Sequence, residues 1–192
     1  MSFKVDVHNL KNFSDREKAR LTMGLKELER ILVNEDLWKG VAKRWHDWDD
    51  KYYMDSNGRK REYQNWRQFK NQLLSGADKF NPKNDGDLDL YLTLYYSMKN
   101  VVGYTYPSTW WTWTNRKYFK KFDDGEIAGH VVHEYLHNMG LSHPNMFSSL
   151  TYQFGYLVRD MINKKELKPS NPRRTKRAGF WTRVKRKLIF WR

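Results

Sequence analysis

The chain has 192 residues, enough for one domain with a real core, and 39% hydrophobic with 30% charged residues suits a water-soluble protein. It contains no cysteine, which excludes disulfides, thiolate metal sites and thiol catalysis. The formal net charge is +14, but residues 164–192 hold twelve Lys and Arg against one Glu, so the basic character belongs mainly to the tail.

The first residues, Met-Ser-Phe-Lys-Val-Asp, are charged at once and show no apolar leader, and no run of 18 apolar residues occurs. This leaves the location open between the cytoplasm, non-classical export, and a processed mature chain with an added Met. Phe3, Val5 and Val7 alternate with polar residues and predict a first strand. Ser14-Asp15-Arg16-Glu17 reads as a capping box, and Leu21, Leu25, Leu28, Ile31 and Leu32 extend a helix over Ser14–Val33. A short amphipathic stretch covers Asp36–Trp48. Residues 49–61 read as a loop or short hairpin around the Asn57-Gly58 turn. A helix follows over Glu62–Leu74 and stops at Gly76.

Leu88, Leu90, Leu92 and Leu94 alternate, so 87–97 is a strand. Val101–Tyr106 could continue the sheet until Pro107 interrupts it. Thr109–Arg116 alternates again, with Trp111 and Trp113 on one face. Asp123-Asp124-Gly125-Glu126 opens the next helix with acidic residues at its positive end. A last helix is expected over Tyr152–Asn163. Pro169, Ser170, Asn171 and Pro172 mark a linker, after which Gly179–Arg192 could form a basic amphipathic helix lined by Trp181, Val184, Leu188 and Trp191.

One segment carries metal chemistry: His133-Glu134-Tyr135-Leu136-His137-Asn138-Met139-Gly140-Leu141-Ser142-His143. Residues i and i+4 share a helix face, so His133 and His137 can bind one ion together. Glu134 sits beside the first ligand, where it can hold and deprotonate a metal-bound water. Gly140 can turn left-handed and end the helix, letting the chain fold back so that His143 becomes the third ligand. Three protein ligands leave a fourth position for water, as a catalytic zinc site requires.

This segment resembles the HExxHxxGxxH signature of the metzincin metallopeptidases. The stretch from Gly76-Ala77-Asp78 through Gly103-Tyr104-Thr105-Tyr106-Pro107 to Trp113-Thr114-Asn115 also resembles the region before the motif in small bacterial metzincin-like proteins. The likeness is claimed for residues 1–163 and is carried by 126–156. It implies an α+β fold: a twisted, mixed but mostly parallel sheet, a long backing helix, an active-site helix, and a small C-terminal helical subdomain. Residues 1–140 would then be the upper and 141–163 the lower part of a catalytic domain, with 164–192 a basic linker and tail. The family carries a methionine-containing turn under its zinc. At the matching offset this chain has Thr151, followed by Tyr152. Met146 is too close to His143 to reach that position and Met161 falls in the predicted last helix. The turn is thus expected to be absent or replaced by Ser149-Leu150-Thr151-Tyr152.

The expected activity is zinc-dependent hydrolysis of peptide bonds, with Glu134 as general base and then acid, one catalytic zinc, and a peptide or protein substrate. Peptidoglycan cross-links are an alternative substrate with the same chemistry. Tyr152 is a candidate transition-state donor, or a buried structural tyrosine. His130, one turn before His133, could support the site or be plain structure; His8 and His46 are incidental. The strand Thr109–Arg116 is the candidate cleft rim, with Trp110, Trp111, Trp113 and Asn115 beside an extended substrate. Asp78, Asp85, Asp87 and Asp89 suit either calcium or a solvated loop. The tail 173–192 suits an anionic membrane surface, non-specific phosphate binding, or mere solubility; no dedicated nucleic-acid motif is present. Two other classes remain open: an inactive zinc-binding domain that binds peptides or proteins, and a membrane-surface-binding protein acting through its tail.

Overall fold

Ser14 begins the architecture as the sequence predicts. Its hydroxyl accepts from Glu17 N while its own N–H donates to the Glu17 carboxylate, and helix α1 runs Asp15–Leu32. The computed structural model describes residues 3–55, 57–78, 85–106, 109–143 and 148–164. The linker at Pro169–Pro172, the tail helix expected over Gly179–Arg192, the break at Pro107 and Met146 lie outside the described residues.

A mixed α+β fold results. Strand β1 (Lys4–Lys11) precedes α1, and α2 (Glu35–Arg44) follows it, continued by a 3-10 turn at Trp45–Asp47. The expected short hairpin forms from β2 (Tyr52–Met54) and β3 (Lys60–Glu62). Because Glu62 is used in that hairpin, helix α3 begins later than its periodicity suggests, at Trp66. Asn65 caps its start, and Gly76 closes it in the left-handed region at φ 76°. Strands β4 (Asp87–Tyr95), β5 (Gly103–Thr105) and β6 (Trp111–Asn115) complete the sheet. Then come a four-residue helix α4 (Arg116–Phe119), the histidine-bearing α5 (Asp124–Asn138) and α6 (Leu150–Ile162).

The sheet order is β1-β4-β6-β5. β1, β4 and β6 are parallel, and β5 runs antiparallel to β6 at the edge. Leu88, Leu90, Leu92 and Leu94 face a core shared with Leu21, Leu25, Leu28 and Leu32 of α1 and Ile127, Val131 and Val132 of α5. A second, aromatic part of that core joins Trp38, Trp45, Trp48, Phe69 and Phe154, with ring centroids 5.1–6.4 Å apart. No helix among the described residues is long and apolar enough to cross a membrane.

Two features position the site. Helices α5 and α6 approach closely at paired glycines: a Cβ on Gly129 would lie 2.5 Å from Gly155 O. Residues 49–54 also clasp the chain on both sides of His143. Met54 N donates to Gly140 O (3.0 Å) and Tyr53 bridges to Leu141. Asp49 N donates to Ser148 O (2.6 Å), and Asp49 O accepts from Leu150 N (2.8 Å).

Candidate metal centre

Asp123 and Glu126 cap α5 reciprocally, so the helix starts in the frame that puts His133 and His137 on one face. After Asn138 the chain turns at Gly140, whose φ of 89° suits glycine; a Cβ there would also meet Met54 O at 2.5 Å. His143 is thereby returned to the helix. The three imidazole centroids lie 4.8–5.2 Å apart. One ligand atom from each of His133, His137 and His143 lies within 4.8 Å of the others, the one such group among the described residues.

The residues fit a zinc ion. A tetrahedral site needs nitrogens about 3.3 Å apart, and the ligand atoms here lie within 4.8 Å of one another. His137 Nδ1 pairs with the Leu141 carbonyl at 2.9 Å, and since a carbonyl only accepts, Nδ1 carries the proton and Nε2 is the nitrogen left unprotonated to serve as a ligand. The His133 ring likewise donates to the Thr151 backbone, but burial and the neighbouring histidines outweigh that bond and hold its pKa well below the usual value. Burial also lowers His143. Neutral imidazoles are the form that binds a metal.

Glu134 is buried, only 4% exposed. Its Oε2 accepts from Thr105 Oγ1 at 2.9 Å, and Thr105 in turn contacts Thr112 at 3.2 Å. Burial pushes the carboxyl up to about 7, opposed by the Thr105 hydrogen bond. His130 Nε2 pairs with Thr114 Oγ1 at 2.9 Å, its Nδ1 lies 3.8 Å from Glu134 Oε1, and burial lowers its pKa to about 4. His130 is thus a neutral neighbour of Glu134, too far from it for a hydrogen bond. Gly103 makes room for it, since a Cβ there would lie 2.5 Å from His130 Cε1.

Tyr152 joins the group, its ring 4.4 Å from His133 and 4.6 Å from His143. Burial, then the charge of Glu134, raises its hydroxyl to about 12. Thr151, at the methionine offset, is fully buried at the start of α6, and Met161 lies near the end of that helix.

The cleft-rim residues need correction. β6 is an inner strand, paired on both sides, so it offers no edge. Thr112 and Thr114 point to α5, so Trp111 and Trp113 lie on the opposite face of the sheet, where Trp113 stacks on Tyr104. Asn115 is buried, donating to the Ser97 and Val101 carbonyls and capping α4. The strand beside Glu134 is β5. His8 stacks on Tyr91 and pairs with Asp89 at 2.6 Å. Asp78, Asp85, Asp87 and Asp89 form no three-ligand group among the described residues.

Comparisons with protein-family models, with curated proteins and with solved structures found no match. The chemistry of the site has therefore to be read from its own side chains.

Proposed function

We propose that this chain is a zinc-dependent endopeptidase of the metzincin type. The observation that carries the proposal is the convergence of three imidazoles, two of them on the helix that also carries a buried carboxylate at Glu134. His133, His137 and His143 would hold the ion through ring nitrogens. Bound zinc supplies a Lewis acid and lowers the pKa of a water.

The remaining work falls to the chain. Thr105 holds Glu134 Oε2, leaving Oε1 to take the proton from the attacking water and return it to the leaving amine. Burial favours the protonated carboxyl and a bound cation would favour the carboxylate, the two states that the transfer needs in turn. Tyr152 is the candidate donor to the developing oxyanion: its ring packs against His133 and His143, and its phenol stays protonated at neutral pH. An extended substrate peptide would add to the outer edge of β5, whose other edge is taken by β6.

The test is metal content by mass spectrometry, with His137→Ala beside the wild type, followed by cleavage of casein with Glu134→Ala as control. One zinc per chain, lost in H137A, is expected, together with casein cleavage that E134A abolishes while keeping its zinc. A wild type that stays metal-free after reconstitution would overturn the proposal. A zinc-loaded protein for which no peptide or peptidoglycan substrate is cleaved would favour an inactive binding domain instead.

A further inference from the structure

Tyr152 is closer to two of the proposed ligands than those ligands are to each other. Its ring centroid lies 4.4 Å from His133 and 4.6 Å from His143, against 4.8–5.2 Å among the imidazoles. Its place is tightly determined. Leu150 N is held by Asp49 O, and Ser149 and Thr151 are buried. Gly155, one turn further along α6, lets the helix approach so near that a Cβ there would lie 3.3 Å from His133 Cβ. Tyr156 extends the aromatic layer, 6.0 Å from Tyr152.

The three ligands do not start equal. His133 and His137 stand on a capped helix. His143 lies off the helix, beyond the turn at Gly140, between the anchors at Leu141 and Ser148. Fixing a free imidazole in one rotamer costs conformational entropy, and a site that must do so on binding loses affinity. A ring packed against His133 and His143 together removes that cost before the ion arrives.

We propose that the Tyr152 ring is the floor of the metal centre. It is a positioning residue whose aromatic face, independently of its hydroxyl, keeps His133 and His143 oriented for one ion. The inference rests on the metal-binding reading above and adds to it a role for Tyr152 separate from proton donation.

Zinc affinity of metal-stripped wild type, Tyr152→Phe and Tyr152→Leu, read by competition with a chromophoric chelator, tests it. Y152F is expected to bind within about twofold of wild type, and Y152L about 10–100-fold more weakly. The metal-free thermal midpoints of the three proteins report whether the loss is confined to the site. Y152L binding as tightly as wild type would overturn the floor role, and so would Y152F losing as much as Y152L, which would assign the effect to the hydroxyl. A second measurement does not depend on Y152L folding. In wild type labelled with ring-13C tyrosine and loaded with Co2+, one tyrosine should shift far beyond the others and be missing in Y152F. No such resonance would also overturn the role. A wild type that binds neither metal fails at the metal-binding reading, a result distinct from a metal-binding protein indifferent to residue 152.

Discussion

At residue 134 the fold buries a carboxyl. With its pKa raised from 4.5 to about 7, the folded metal-free protein holds a proton that the unfolded chain has lost across that interval. Folding stability from this group is complete below pH 4.5 and falls as pH rises through 7. His130 has the opposite sign. Lowered from 6.5 to about 4, it binds fewer protons folded than unfolded, so its contribution is lost as pH falls through that window. Glu134→Gln removes only the first effect. In urea unfolding of metal-stripped protein, the stability of E134Q relative to wild type should rise between pH 4.5 and 8, by on the order of 2–3 kcal/mol. A bound dication favours the carboxylate and should shrink that gain. A difference independent of pH would mean that Glu134 titrates as an ordinary exposed carboxylate.

Among the elements, what was legible in the sequence was local. The capping boxes at Ser14 and Asp123, the alternating leucines of β4 and the stop at Gly76 each involve residues within a few positions of one another. So does the triad, because helical periodicity and one left-handed glycine suffice to bring it together. What was not legible depends on partners far along the chain. Alternation identifies β6 as a strand, but not that β5 covers its edge, and so Trp111, Trp113 and Asn115 were misplaced on the rim. Nothing near Thr105 announces that its hydroxyl meets Glu134, and nothing in residues 49–54 announces their pairing with the segments around His143. The close packing of α5 on α6 is also non-local, and it can be tested at Gly129. An added methyl there meets backbone rather than a flexible side chain. Gly129→Ala should therefore cost about 1–3 kcal/mol in denaturant unfolding despite alanine's better helix propensity. A stability equal to or above wild type would show that the helices tolerate a wider separation.

Over the whole molecule, charge and chemistry occupy different segments. All described elements end by Ile162, and the +11 carried by residues 164–192 begins where they stop. In that tail Trp181, Val184, Leu188 and Trp191 recur at helical spacing, with Arg183, Lys185, Arg186 and Lys187 between them. A segment of that pattern is expected to lie on an anionic bilayer, with apolar residues inserted and each surface cation contributing about 1 kcal/mol at low salt. The full chain should sediment with phosphatidylglycerol vesicles and much less with phosphatidylcholine vesicles, and salt should release it. A chain ending at residue 164 should stay in solution yet keep its zinc, and full-length E134A should bind vesicles like wild type. Equal binding by the full and shortened chains would place the affinity in the folded body. Equal binding to neutral and anionic vesicles would mean that the apolar face, rather than the charge, drives it.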